Sequence, residues 1–254
     1  QAQAAVCLTN LGGLAKAYQA YAMNNDEKIV NANVPVYSIA NGAVLSTVHP
    51  PYWVDCPQTE NNQYMGNAES IDSYPTWDHK KNGIRNGAMF PYADDVNAYH
   101  CPGDLSRKLA PSTDNPFPDI NYSFRSYCSP DPLNGWLGQR KPPDGTDIRI
   151  IKMTQVVNPS EKFCFLESAE NRGWIAGGWN LEWCFTSGTA YGDPVSVRHR
   201  DRSGFGFMDG HGEMHRWVDD AIIEASNAGN VNWLPYDASS DDYKLLQSGY
   251  IPGR

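Results

Sequence analysis

The chain is short of the features that most readily assign a protein. No run of about 18 apolar residues occurs in it, so no segment has the length to cross a bilayer as a helix. Its opening residues do not read as a signal peptide. Positive charge is in deficit, with 20 Lys and Arg against 29 Asp and Glu and a net charge of -9. A polyanion-binding face needs the reverse balance, so nucleic acid is not an expected partner. None of the six cysteines falls in a C-x-x-C pair, which removes the zinc-ribbon and thioredoxin-type readings. G-x-S-x-G, H-E-x-x-H and G-x-x-x-x-G-K-[ST] are all missing. Glu167 and Glu170 stand three apart, a spacing too common to indicate a glycoside-hydrolysing pair. The chain is therefore expected to be non-catalytic.

What is present describes a loop-rich globular chain. A hydrophobic share of 41% with 12% aromatics is enough for a packed core. With 22 Gly and 18 Pro in 254 residues, many turns and modest helix content are expected. Residues 1–254 are read as one domain. The cysteines at 7, 56, 101, 128, 164 and 184 are even in number. That number favours disulfides and an oxidising compartment, with buried free thiols as the alternative.

Residues 1–25 carry a helical stripe, Cys7, Leu11, Leu14, Tyr18 and Tyr21, at spacings that put all five on one face. Lys162–Glu167 is a compact apolar run and reads as a central strand. Short strands are expected within Val34–Val44, Asn97–Cys101 and Ile120–Tyr127, and turns over Asn82–Gly87. Two long excursions, 49–77 and 170–188, interrupt the pattern. The clearest local signal is Val195–Trp217, read as a three-stranded meander. Val195, Val197 and His199 alternate in its first strand. Asp209-Gly210 is the preferred dipeptide of a two-residue type I′ hairpin. That turn would pair Phe207 with Gly212 and Phe205 with Met214, placing Phe205, Phe207 and Met214 on one apolar face. Short helices are expected over Asp219–Ala228 and Asp241–Gln247, the second capped by Ser239 or Ser240.

His199, nine residues and then Asp209-Gly210 match the H-x9-DG signature of a large family of bacterial pilin-like proteins with a prepilin-type N-terminus. Ala5–Leu11 is similar to the "CLSNLKQL" helix of that family, and Tyr21–Asp26 to its "YANDND" ending. Gly87–Tyr92 resembles its "G-x-L-x-P-Y" segment, with Met89 for Leu, and Cys101–Asp104 its "CPSD", with Gly103 for Ser. Asn158-Pro159-Ser160 before Phe163–Glu167 also fits. The glycine-flanked cleavage site and the membrane helix of the family do not occur in the chain and are expected upstream of Gln1.

The resemblance implies an α+β fold, pilin-like, in which the C-terminal half of a long helix (1–25) packs on an antiparallel sheet within a globular head (26–254). It implies a structural subunit, a pseudopilin or minor pilin of a type II secretion or type IV pilus-like assembly. Its partners would be other pilin-like subunits, met through the helix, and the inner membrane, with the head periplasmic or extracellular. No cofactor is expected. Calcium occurs in the heads of major pseudopilins, but this chain has no motif for it. A disulfide between Cys7 and Cys101 is the first pairing to expect, because both lie in segments that resemble family anchors.

Three groups of residues could do more. His211, Glu213 and His215 alternate on one strand face, with His199 on a neighbouring strand, and imidazole with carboxylate could bind a transition metal. The simpler reading is a solvated polar face. Asp209 is accounted for by the turn. His199 equally suits a structural role, holding carbonyls or a carboxylate near the hairpin. Arg198, Arg200 and Arg202 with Asp201 form a charged tip, ordinarily solvated. Finally, Trp174, Trp179 and Trp183 sit in a glycine-rich loop. They support the alternative of a secreted carbohydrate-binding module, although core packing also uses such aromatics.

Overall fold

The computed structural model describes residues 2–35, 37–38, 43–44, 51–65, 75–105, 124–135, 148–169, 178–182, 189–227, 234–237 and 239–250. Ala2–Met23 forms one helix, α1. Its predicted stripe is the buried face: Cys7, Leu11 and Leu14 are fully enclosed, with Tyr18 and Tyr21 nearly so. Alanine-rich sequence sustains the helix past Gly12-Gly13. Asn24 and Asn25 end it, each amide side chain donating back to a carbonyl of the last turn.

The strands are β1 (Tyr37–Ser38), β2 (Ala43–Val44), β3 (Tyr127–Pro130), β4 (Phe163–Glu167), β5 (Gly178–Trp179), β6 (Leu181–Glu182), β7 (Thr189–Gly192), β8 (Arg202–Phe207), β9 (Gly212–Arg216) and β10 (Leu234–Asp237). The main sheet has the order β5-β3-β4-β8-β9, with β4 at its centre as the apolar run predicts. The expected all-antiparallel sheet is corrected to a mixed one, because β5 joins β3 in parallel. β6, β7 and β10 form a separate three-stranded sheet, and β1 pairs with β2.

Each face of the main sheet carries its own core. The α1 stripe, Trp53, Tyr99, Tyr127 and Phe165 form one cluster. Phe163, Leu166, Phe205, Phe207, Trp179, Trp217 and the helix Asp241–Tyr250 form the other. A bulge in β4 allows this division. The pairing steps from Phe163 opposite Phe207 to Phe165 opposite Gly206, so one extra residue returns Leu166 to the face of Phe163 while Cys164 and Phe165 turn to the helix.

The hairpin forms where expected but in a different register. Gly210 N–H donates to Phe207 O and Phe207 N–H donates to His211 O, which closes a three-residue loop of Met208, Asp209 and Gly210. Gly210 has φ +94°, the left-handed position that such a loop requires. Phe205 therefore faces Glu213, and Gly204 faces Met214. Met214 lies on the face opposite Phe205 and Phe207, which corrects the predicted three-residue apolar surface. Gly204, Gly206 and Gly212 line the helix-facing side, and α1 settles against bare backbone there. A Cβ on Gly206 would meet Leu11 O at 3.0 Å.

Other local readings also shift. Val195–His199 is not a strand; only Val195 bridges, to Ser168, so β4 replaces it as the third strand of the meander. Asn82–Gly87 closes the helix α2 (Trp77–Arg85) and is not a set of turns. Asn97–Cys101 contains a 3₁₀ turn, Val96–Tyr99, and no strand. The strand expected over Ile120–Tyr127 begins only at Tyr127, residues 120–123 lying outside the described ones. Ser240 caps Asp241–Tyr250, its Oγ accepting from Tyr243 N–H at 3.1 Å.

Candidate functional site

Four segments far apart in sequence meet at the end of the sheet beneath the first turns of α1. Cys7 arrives on the helix stripe. Cys101 follows the 3₁₀ turn, which is tied to α1 by Asn10 Nδ2 donating to His100 O at 3.0 Å. Glu167 ends β4 opposite Tyr127, on the helix-facing side. His199 precedes β8. The ligand atoms of Cys7, Cys101, Glu167 and His199 all lie within 4.8 Å of one another. Cys101 Sγ is 3.2 Å from His199 Nε2, and the same nitrogen is 3.4 Å from Glu167 Oε1.

The cluster is enclosed. Cys7, Cys101 and Glu167 have no exposed surface, and the His199 side chain is 4% exposed. Around it, Gly204 N–H donates to Glu167 Oε2 at 2.6 Å, Gly103 N–H to Cys101 Sγ at 3.3 Å and Tyr127 O–H to Cys7 Sγ at 3.4 Å. Arg198 reaches inward to Asp104 at 3.1 Å and stands 4.0 Å from Glu167. It therefore departs from the solvated tip predicted for it, leaving the tip to Arg200, Asp201 and Arg202. Glu167 Oε1 has ion-pair neighbours but no well-aligned hydrogen bond.

Such proximity in a dry site moves protons. The hydrogen bond with Cys7 holds the Cys101 thiol below its ordinary range; burial opposes this and His199 reinforces it. The same Cys101 contact and burial push Cys7 up. Hydrogen bonding to Cys101, then to Glu167, raises His199 to about 9. Burial alone would raise Glu167, but His199 and Arg198 outweigh it and keep the carboxyl low. Cys101 and His199, 3.2 Å apart, thus shift each other in opposite directions, the thiol down and the imidazole up. Among the described residues, Cys7, Cys101 and Glu167 are wholly covered, with α1 packed over them.

The sequence candidates divide between this cluster and the surface. His199 is in the cluster. His211 is outside, its ring stacked on Phe207 at 4.2 Å and its Nδ1 2.5 Å from Asp209 Oδ1. Glu213 is exposed, 3.9 Å from His211. His215 pairs with the buried Asp242 at 2.7 Å. The three share a face as the alternation predicts, yet they form no joint metal site with His199 among the described residues.

Cys7 and Cys101 do come together, as the expected pairing needs, with their sulfurs unbonded. Cys56, Cys128 and Cys164 are buried as well. Trp179 is fully buried, its Nε1 donating to Asp193 O at 3.0 Å, so it is core and not a stacking platform. Trp174 and Trp183 lie outside the described residues. Glu167 is the member that sequence reasoning missed as a partner of His199. The available signal was an acid closing an otherwise apolar central strand, Phe-Cys-Phe-Leu-Glu.

The chain matches no family model, no curated protein and no solved structure.

Proposed function

We propose that this chain is the head of a pilin-like structural subunit, a pseudopilin or minor pilin, anchored in the inner membrane by a segment upstream of Gln1. The observation that carries the reading is the way α1 is used. Its buried stripe begins at Cys7 and continues to Ala22, whereas Ala2, Gln3, Ala5 and Val6 are exposed, Val6 by 48%. The first turn therefore leaves most of its side chains uncovered, as it would if the helix ran on into a stalk that packs against neighbouring subunits. The α+β architecture and the H-x9-DG hairpin packed beneath the helix agree with this.

The test uses the full-length gene product in its native bacterium. A photo-crosslinking residue at Val6 should trap a second pilin-like chain, and fractionation should place the protein with the inner membrane. A product in the soluble fraction with no crosslinked partner overturns the reading.

A further inference from the structure

We propose that Cys7, Cys101, Glu167 and His199 form a structural zinc site that clips α1 to the sheet. The proposal concerns the head alone and stands whether or not the subunit assembles as a pilin does.

The donor set comes first. Two thiolates, one imidazole and one carboxylate are zinc ligands. The two sulfurs with a nitrogen disfavour magnesium and calcium, which take oxygen shells. The carboxylate makes a copper(I) site less suitable than a zinc one.

Geometry comes second. Zinc bond lengths of about 2.0–2.3 Å in a tetrahedron place neighbouring ligand atoms roughly 3.3–3.8 Å apart. The observed separations are 3.2 Å for Cys101 Sγ to His199 Nε2 and 3.4 Å for His199 Nε2 to Glu167 Oε1. All remaining pairs fall within 4.8 Å. Closing onto an ion requires shifts of an ångström or so at side chains already turned toward a common point.

The third consideration is what surrounds the donors. Glu167 Oε1 is buried without a well-aligned hydrogen bond, while Oε2 is fixed by Gly204 N–H, so a single oxygen is left to coordinate. Cys101 Sγ accepts Gly103 N–H and Cys7 Sγ accepts Tyr127 O–H, the outer contacts that orient thiolate ligands. A Cβ at Gly103 would come within 2.9 Å of the His199 ring, so glycine there leaves room for the imidazole. Binding requires both sulfurs as thiolates and Nε2 free of its proton, so the cluster's protons leave to solvent as zinc enters. With zinc, two thiolates and a carboxylate, the site carries one negative charge, and Arg198 lies 4.0 Å from Glu167 Oε1 to offset part of it.

A closed four-ligand shell with no open position belongs to structural zinc. The ion would join α1, the segment after Val96–Tyr99, the end of β4 and the approach to β8. Three of its four ligands lie in segments that carry the pilin-like resemblance, which gives those scattered segments one physical meeting point.

The experiment measures metal in untagged protein purified without chelator from zinc-supplemented cells. About one zinc per chain is expected. Cobalt(II) added to the metal-free protein should produce the thiolate-to-cobalt charge-transfer and the strong visible bands of a tetrahedral site. Cys7→Ser, Cys101→Ser, Glu167→Gln and His199→Ala should each weaken zinc binding at least tenfold, whereas Cys164→Ser, buried elsewhere, should not. Should a ligand variant fail to fold, the cobalt spectrum of the unaltered protein decides by itself. Folded protein with no stoichiometric zinc and no tetrahedral cobalt spectrum overturns the site. So does a Cys7–Cys101 disulfide in unreduced peptide maps.

Discussion

The carbonyl oxygen of Leu8 in α1 lies only 2.9 Å from where a Cβ on Gly212 of β9 would stand. With Gly204 and Gly206 on the same face, this contact explains how a 22-residue helix can settle directly on two adjacent strands. Main chain meets main chain, and Leu11 drops into the gap. We expect Gly212→Ala to force the helix outward and cost about 1–3 kcal/mol, since backbone cannot yield as a flexible side chain does. Chemical denaturation at fixed protein concentration measures this. A change below about 0.5 kcal/mol would mean the helix rests elsewhere.

Gly210 tests the loop. Its φ of +94° belongs to the last residue of the three-residue loop. Gly210→Ala should lower stability by about 1–2 kcal/mol through backbone strain. Met208→Ala should be felt separately, because that side chain is buried in the helix-facing core. The register has its own readout. Amide exchange should protect Phe207 N–H, bonded to His211 O, and nuclear Overhauser contacts should join Phe205 to Glu213. Contacts joining Phe205 to Met214 instead would restore the two-residue turn.

These two cases show why part of the structure could be read from sequence and part could not. The α1 stripe and β4 are visible because burial imposes a period on neighbouring residues. The hairpin is visible because Asp209-Gly210 needs left-handed backbone, but that dipeptide serves a two-residue and a three-residue loop alike. Choosing between them flips Met214 to the other face. The bulge at Cys164 leaves no mark in composition. The cluster is harder still: Cys7, Cys101, Glu167 and His199 are joined only through tertiary packing, and no local spacing encodes it. The resemblance came nearest, since it set Cys7 beside Cys101. It offered a disulfide, however, because nothing in either segment brought Glu167 or His199 to the two sulfurs.

Asp242 holds the opposite face together. It is 1% exposed, accepts from Val218 N–H and Asp219 N–H at 2.9 and 2.8 Å, and meets His215 Nε2 at 2.7 Å. One carboxylate thus ties the strand exit after β9 to the first turn of the C-terminal helix. Asp242→Ala leaves two part-buried amides and an imidazole without this partner, and about 1–3 kcal/mol of stability should be lost. Asp242→Asn retains one acceptor oxygen and should lose less. Thermal unfolding of the two variants side by side checks the order; equal losses would show that the retained oxygen contributes nothing.

Trp179 bears on the carbohydrate-binding alternative. Its indole is fully buried, packed edge-on against Tyr250 with ring centroids 5.6 Å apart, and its N–H is satisfied by Asp193 O. A stacking platform for sugar needs an exposed ring face, which Trp179 lacks. Trp179→Ala should therefore act on stability, by about 3–5 kcal/mol, as removal of a large core aromatic does. The helix Asp241–Tyr250 should be the first element to lose protection in amide exchange, because Tyr250 loses the indole it packs against. Glycan binding and urea unfolding measured on the same variant separate the two roles. Loss of stability without a specific glycan signal in the unaltered protein is the expected result. A variant of unaltered stability that abolishes a specific glycan interaction would place the indole at the surface and return the lectin reading to first rank.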